Sequence, residues 1–426
     1  MRYAALLPAL ATAAALSACG SSTPAVSNGS GGHLSGTLTI ADWEFLESGN
    51  GPRLDAAVSA YEKAHPKVKV QTIGIPSDSY GTTIDTELAA HKGPDVLVIG
   101  GGTSLYDLAP ANLLSPITLT SAETRTLIPQ NSQGMYNGTR YGVVWEFNEN
   151  DLLYNKQLFQ QAGISAPPAS FGSFLSDCMT IKRKTGDYGF VARNMLNEEA
   201  LWYSDYTLDW LAAFGGAWTN AKGQFTIDAP ASLAALTDFK KVYDSGCMAT
   251  GQTATVFRPE FEAGKIGMLI DNIDAGYTYT AANKVLTNAT MGGAPIPFPA
   301  HHSGSAAIML GINRYAPNQA LAENFVQWLM SSAGQQSLVP GIEPNQAGTT
   351  TAVMPQSFVA SHAWIKPFLA EGQSAPQVLN LDGKPQDSTP FSDLIMPYIE
   401  KALQNQATPS QALRAAQAAA IQKFGN

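Results

Sequence analysis

The chain has 426 residues, of which 45% are hydrophobic and only 14% are charged, and its formal net charge is -9 at pH 7. This length allows two or three domains. The hydrophobic fraction is ordinary for a globular protein, which excludes an intrinsically disordered chain. The acidic balance argues against a nucleic-acid partner, and the low charged fraction implies a surface made largely of neutral polar side chains.

The chain begins with an apolar leader. Arg2 precedes an almost entirely apolar run from Tyr3 to Leu16, which is typical of a secretory signal and too short to span a membrane. The stretch Leu-Ser-Ala-Cys-Gly that ends the leader resembles a bacterial lipoprotein processing site. We therefore predict a signal peptide over residues 1–18, lipidation of Cys19 and a flexible tether over residues 19–35. The alternative is a soluble secreted protein with an incidental cysteine.

After the tether, segments with strand and helix patterns alternate. Three stretches have strand patterns: GTLTIADWE, KVKVQTIG and PDVLVIGGG. Two stretches between them have helical spacing: RLDAAVSAYEKAHP and YGTTIDTELAAHKG. This alternation predicts a doubly wound α/β sheet, with ligands beyond the carboxyl ends of its strands. The loop VIGGGTS lacks the third glycine of a dinucleotide-binding loop, so we interpret it as a cleft loop in which Thr103 and Ser104 can bind ligand hydroxyls.

The middle and the end of the chain are richer in helices. Helical periods occur in WYSDYTLDWLAAFGG, ASLAALTDFKKVYDSG, NQALAENFVQWLM and SQALRAAQAAAIQKF. Buried strands are predicted in AGKIGMLIDN and AAIMLGIN. Between these two strands, the proline-rich GGAPIPFPAHHSG is predicted to be a crossover between domains, because proline is excluded from central strands.

The two cysteines beyond Cys19 are Cys178 and Cys247. An even pair in a chain that leaves the cytoplasm favours a disulfide, and two separately buried thiols are the alternative. We predict no metal site and no cofactor, because the chain has no Cys-x-x-Cys or His-Glu-x-x-His spacing and the adjacent His301 and His302 are poorly placed to share an ion.

Five stretches occur in an order and at separations typical of one known family: TLTIADWE, GPDVLVI, RYGVVWEFNENDLLYNKQLFQQAGISAPPASFGSFL, FEAGKIGMLIDN and NQALAENFVQWLMSSAGQQ. Together they resemble the extracellular solute-binding proteins of bacterial ABC importers, in the sugar-binding branch typified by maltose-binding protein. The resemblance implies two α/β lobes with a ligand cleft between them and closure by hinge bending. Lobe one is expected over residues 36–147 and 304–343, and lobe two over residues 148–303 and 344–426.

The resemblance also indicates which side chains bind the ligand. A sugar needs carboxylates, amides and aromatic faces that converge in a cleft. We predict ligand contacts from Trp43, Glu44, Tyr80, Thr103, Glu146, Asn148, Tyr203, Asp205, Tyr206, Asp271, Asn272 and Asp274. The family usually has a carboxylate where this chain has Asn148, and Glu146 on the same strand face is expected to supply it instead. A structural role is the alternative for the aromatic residues and for Glu44, and Trp202 and Trp210 are predicted to be structural.

These residues leave more than one function open. The first hypothesis is a monomeric, non-catalytic lipoprotein that captures an uncharged sugar or an amino sugar and delivers it to an ABC permease at the outer face of the cell membrane. The second is a secreted glycoside hydrolase that uses Glu44 and Glu146 as acid and base. The third keeps the fold but binds another solute such as a polyol phosphate, for which Arg193 and Arg258 are the candidate anion ligands.

Overall fold

The computed structural model describes residues 34–47, 51–100, 102–195, 199–281, 285–338, 348–351, 355–371, 376 and 380–425, with some of these residues described by their backbone alone. The predicted signal peptide, Cys19 and almost all of the predicted tether lie outside the described residues. Within the described part of the chain, no helix is long and apolar enough to cross a membrane.

The described strands and helices alternate through the first third of the chain, and helices dominate the rest. The strands are β1 Gly36–Asp42, β2 Val68–Gly74, β3 Val96–Ile99, β4 Leu114–Ser115, β5 Met135–Tyr136, β6 Thr139–Arg140, β7 Gly142–Asn155, β8 Tyr188–Val191, β9 Ile266–Asn272, β10 Met291–Ala294 and β11 Ser305–Asn313. The helices are α1 Gly51–Ala64, α2 Ser77–Ala89, α3 Leu105–Leu108, α4 Ser121–Thr126, α5 Lys156–Ala162, α6 Phe171–Thr185, α7 Glu199–Tyr206, α8 Pro230–Asp244, α9 Ala254–Glu262, α10 Ile273–Ala281, α11 Gln319–Met330, α12 Ser332–Ser337, α13 Gln356–Ser361, α14 Lys366–Glu371, α15 Ser388–Leu403 and α16 Pro409–Phe424.

The first lobe is built around one half of a nine-stranded sheet. Seven of its strands follow the order β2-β1-β3-β11-β7-β9-β8, and the other two are β4, which pairs with β11, and β10, which pairs with β7. Strand β1 pairs in parallel with β2 and β3, and β11 adds an antiparallel strand beside β3. All four residues of β3 are buried, as expected for a strand covered by helices on both faces. The core of this lobe takes residues from 38–147 and from 309–338.

The second lobe packs around β8, β9, β10 and the second half of β7. Its larger core is rich in aromatic side chains and includes Trp202, Trp210 and Trp218, so the structural role predicted for Trp202 and Trp210 agrees with their burial. A disulfide joins Cys178 in α6 to Cys247, with a Cα–Cα distance of 5.6 Å.

Strand β7 passes from one lobe to the other. Its first half pairs with β11 as far as Glu149, and its second half pairs with β9 from Asn150 onward and with β10. A single extended segment therefore connects the two lobes through continuous backbone hydrogen bonds. The exact residue bounds of the lobes stay a prediction.

The two-lobe α/β architecture is confirmed, with two local differences from the predicted elements. The proline-rich stretch contributes a short strand, β10, that pairs with β7 and ends before its first proline. The helix predicted in WYSDYTLDWLAAFGG is α7 followed by a wide π-helical turn, Thr207–Leu211, and a 3-10 turn, Ala212–Phe214. Neither difference could be predicted from hydrophobic spacing alone, because both depend on tertiary contacts.

Candidate ligand-binding cleft

A cavity of about 310 Å³ lies between the lobes and beyond the carboxyl ends of β3 and β9. Its walls come from the β3–α3 loop and β11 on one side, and from α7, α9 and the end of β9 on the other. This is the edge where an α/β sheet is expected to bind ligands. Two of the loop glycines, Gly100 and Gly102, have φ values of +152° and +98°, a conformation that L side chains rarely adopt.

Five of the predicted ligand residues line this cavity: Thr103, Tyr203, Asp205, Asp271 and Asn272. The side chains of two of them already accept local hydrogen bonds from the backbone. The Thr103 hydroxyl accepts a hydrogen bond from Gly100 N at 2.9 Å, and Asn272 Oδ1 accepts one from Ala275 N at 2.8 Å. The carboxylates and Tyr203 are therefore the stronger candidates for ligand contact.

Tyr80 does not line the cavity and takes the structural role that the sequence left as its alternative. The residue is fully buried, and its hydroxyl accepts a hydrogen bond from Val98 N at 2.8 Å and donates to the carbonyl oxygens of Ala41 and Val98. It is therefore a core residue that ties α2 to the sheet. Trp43 packs edge-on against Tyr80, with ring centroids 5.0 Å apart, and its ring comes within 3.6 Å of the position that a Cβ on Gly100 would occupy. Trp43 thus supports the cleft loop from behind.

Three predicted ligand carboxylates are instead buried together. Oxygen atoms of Glu44, Glu146 and Asp274 lie within 4.8 Å of one another, and none of these residues lines the cavity. Burial, and then repulsion by Glu146 and by other carboxylates including Asp42, raises the pKa of Glu44 well above its ordinary value. Carboxyl oxygens at this spacing could hold a metal ion, but the raised pKa favours protons as the neutralising charge.

The burial of this cluster also bears on the hydrolase alternative. A glycosidase needs its two carboxyl groups on either side of a substrate bond, with room for the sugar between them. Oxygen atoms of Glu44 and Glu146 lie within 4.8 Å of each other and the two residues are 3% and 0% exposed, so no sugar fits between them.

Two further predicted residues do not contribute a described side chain to the cleft. Tyr206 is 1% exposed and packs in the second-lobe core against Phe239 and Trp218, with centroid distances of 5.6 and 6.2 Å. The prediction that Tyr206 faces the ligand is therefore replaced by a structural role. The side chain of Asn148 lies outside the described part of the structure.

Two cleft aspartates, Asp271 and Asp205, each form an ion pair with an arginine. Arg258 donates to Asp271 through two nitrogens, Nε at 3.1 Å and Nη2 at 2.9 Å, and the Tyr279 hydroxyl donates to the same carboxylate. Nη1 of Arg258 lies 3.5 Å from Glu47 of the first lobe. The neighbouring carboxylates raise the pKa of Arg258 well above its ordinary value despite burial, so the guanidinium stays charged.

Arg193, which also belongs to the second lobe, has the same double role. Its Nε donates to Asp205 at 3.1 Å, and its Nη1 lies 3.5 Å from Asp78 of the first lobe. Thr255 of the second lobe also donates to Asp78, at 2.7 Å. Each arginine therefore joins a cleft aspartate of its own lobe to a carboxylate of the other lobe.

Three of the polar lining residues that sequence reasoning missed are Gln133, Asn150 and Asp209. Asn150 Nδ2 donates to Asp209 Oδ1 at 2.6 Å, and the amide nitrogen of Gln133 has no hydrogen-bond partner among the described residues. Two of the three carry a sequence signal. Asp209 follows Asp205 by four residues, which is one helical turn, and Asn150 is on the strand face shared by Asn148.

The arrangement suits a polar ligand with an apolar face. Carboxylates and amides accept and donate hydrogen bonds, while Tyr106, Tyr203 and Phe257 bring aromatic surface to the same cavity. Each lobe supplies part of the lining, so a ligand that contacts both lobes favours the closed state.

Comparison with known proteins agrees with this architecture. The chain is 25% identical over 240 residues to a putative binding protein of Brucella abortus (strain 2308), and spans 56% of that relative's length. It is 25% identical over 334 residues to the diacetylchitobiose binding protein DasA of Streptomyces coelicolor, which covers 75% of each chain.

Solved structures share the fold at low sequence identity. Maltose-bound MalE3 of T. maritima matches with a TM-score of 0.74 and 21% identity, over 90% of this chain and 98% of its own. The GacH receptor of Streptomyces glaucescens, solved unliganded and with acarbose, matches with a TM-score of 0.75 and 22% identity, over 91% of this chain and 98% of its own. These relatives are binding proteins and not enzymes. Residues 47–336 match the family model of the bacterial extracellular solute-binding proteins, and the chain belongs to that family.

Proposed function

We propose that this protein captures a carbohydrate in the cleft between its lobes and delivers it to the permease of an ABC importer. The observation that carries the proposal is the state of the two cleft arginines. Arg193 and Arg258 each contact two carboxylates, so neither is free to bind an anionic ligand without breaking an ion pair. The remaining carboxylates, amides and aromatic faces suit a ligand rich in hydroxyl groups. The named ligands of DasA, MalE3 and GacH, which are diacetylchitobiose, maltose and acarbose, are consistent with it.

A phosphodiester is the second candidate ligand. UgpB of Mycobacterium tuberculosis, solved with glycerophosphocholine, shares the fold with a TM-score of 0.69 and 17% identity. The neutralised arginines of the present cleft argue against this class of ligand, because a phosphate is usually bound by an arginine or lysine that is free to pair with it.

Thermal unfolding against a panel of sugars tests the proposal. A ligand at one hundred times its Kd should stabilise the folded protein by about 2.7 kcal/mol, because it binds the folded state alone. The panel should contain maltose, cellobiose, chitobiose, diacetylchitobiose and monomeric amino sugars with their neutral parents, with glycerophosphocholine as the contrasting probe. Small-angle scattering on the best sugar should show a smaller radius of gyration on binding. Stabilisation by glycerophosphocholine with none by any sugar would reject the carbohydrate.

We further propose that Cys19 carries the lipid that holds the protein at the outer face of the membrane. The apolar leader and the tether support this step. The Cys19→Ala variant, expressed in a bacterium that processes lipoproteins, should lose incorporation of labelled palmitate and move from the membrane fraction to the soluble fraction or remain unprocessed. Ser22→Ala, in the same tether, is the matched control and should fractionate like the parent. Equal membrane retention of Cys19→Ala and the parent would refute the anchor.

A further inference from the structure

A third aspartate, Asp209, also lines the cleft, and among the described residues no arginine forms an ion pair with it. It sits in the π-helical turn Thr207–Leu211 that continues α7, and it is 5% exposed. Such turns inside helices occur frequently at functional sites, because they redirect side chains that a regular helix would place elsewhere. Here the turn brings Asp209 into the cavity wall together with Asn150.

Only one of the two oxygen atoms of the Asp209 carboxylate accepts a hydrogen bond from a described residue. Among the described residues its one hydrogen-bond partner is Asn150, whose Nδ2 donates to Oδ1 at 2.6 Å. The amide carries no charge, so it cannot neutralise the carboxylate. Burial, followed by the charges of Asp205 and Asp271, raises the pKa of Asp209 well above its ordinary value.

The charges around Asp209 are unevenly balanced. The network of cleft and interlobe ion pairs, taken with Asp209, contains two arginines and five carboxylates: Arg193 and Arg258, against Glu47, Asp78, Asp205, Asp209 and Asp271. Both arginines pair with the other four carboxylates, so that, within the described part of the chain, no cation pairs with Asp209.

A buried carboxylate without a counter-charge is costly, so Asp209 takes up a proton when no ligand is bound, and a ligand that brings a positive charge can replace that proton. A sugar hydroxyl can donate a hydrogen bond to Asp209, but an ammonium group donates a charge-assisted bond of about twice the strength. We propose that Asp209 selects an amino sugar in its protonated form, whose ammonium group pairs with the carboxylate oxygen that Asn150 leaves free. This inference rests on the carbohydrate function proposed for the same cleft.

Calorimetry with three disaccharides of one β-1,4-linked frame tests the selection. Chitobiose carries ammonium groups at its C2 positions, diacetylchitobiose carries neutral amides there and cellobiose carries hydroxyls. The parent protein should bind chitobiose at least tenfold more tightly than the two neutral sugars at low salt. Asp209→Asn keeps the size of the side chain and an acceptor for Asn150, and should weaken chitobiose binding by roughly ten- to hundredfold.

The neutral sugars and a control variant separate selection from folding. Asp209→Asn should change binding of diacetylchitobiose and cellobiose by less than threefold, and its thermal unfolding without ligand should show that it is folded. Asp244→Asn removes a carboxylate that pairs with Lys240 on the surface of α8, and should leave all three affinities unchanged.

Two results would overturn the selection while leaving the carbohydrate function in place. One is an equal loss of affinity for all three disaccharides in Asp209→Asn. The other is that, across the sugar panel described above, sugars without an amine bind as tightly as their amino counterparts, or more tightly. If no sugar in the panel binds, the proposed function fails together with this inference.

Discussion

Opening the disulfide between Cys178 and Cys247 is expected to lower the free energy of unfolding by about 4 kcal/mol. The cross-link closes a loop with a sequence separation of 69 residues, and a loop of this length loses much of its conformational freedom in the unfolded chain. The two cysteines are 0% and 1% exposed, and the Ser245 hydroxyl donates to the sulfur of Cys247 at 2.9 Å. The cross-link therefore connects α6 to the end of the chain segment that contains α7 and α8.

Urea unfolding of three forms measures this contribution. The oxidised parent is compared with the reduced parent, which keeps both sulfur atoms, and with Cys178→Ala/Cys247→Ala, which also loses the packing of those atoms. The reduced parent should show most of the loss. Mass spectrometry that finds two free thiols in protein isolated from the cell envelope would contradict the pairing, and equal stability of oxidised and reduced parent would contradict the magnitude.

The second large effect concerns Asp42, which is 2% exposed at the end of β1. Burial, together with the charges of Glu47 and Asp274, raises its pKa from 3.8 to about 7, although hydrogen bonds from the backbone of Glu44 and Trp43 oppose the shift. The folded state thus holds a proton that the unfolded chain releases near pH 4. Stability contributed at this position is present below pH 4, falls as pH rises to about 7, and is constant above that.

Asp42→Asn should therefore stabilise the protein at pH 8 and leave its stability nearly unchanged at pH 4. The pKa difference corresponds to about 4 kcal/mol. Asparagine has one acceptor oxygen where aspartate has two, so one of the backbone hydrogen bonds is lost and the expected gain falls to about 3 kcal/mol. Chemical unfolding across this pH range measures the effect. Asp55→Asn removes an exposed carboxylate of α1 and is the control, with little change expected at either pH. If the stability of Asp42→Asn and of the parent changed with pH in parallel, the pKa of Asp42 would not be raised in the folded state, and the prediction would be wrong.

Sequence patterns predicted the elements of the fold well, because hydrophobic spacing reports which face of each segment is buried. The β1, α1, β2, α2 and β3 segments all lie where strand or helix periodicity indicates. The long strand β7 is harder to predict, since its two halves pair with different partners and no single alternation describes both.

The candidate site was less accessible to sequence reasoning. Tyr203, Asp205 and Asp271 reach the cleft, whereas Glu44 and Glu146 are packed against each other behind it. Residue type cannot separate these cases, because a carboxylate in a cleft and a carboxylate in a buried proton-sharing cluster have the same local sequence requirements. The difference lies in a contact with Asp274, which is remote in the chain. The ion pairs of the two arginines are hidden from the sequence for the same reason.

The way in which the chain divides between the two cores also affects the order in which the protein can fold. The first core takes residues from 38–147 and again from 309–338, and β11 lies in the sheet between β3 and β7. A chain that emerges from its amino terminus therefore cannot complete the first half of this sheet until the whole intervening segment has followed. Such long-range pairing slows folding, while the entropic cost of the large loop grows only slowly with its length. The topology thus delays completion of the first lobe without a matching loss of stability in the finished protein.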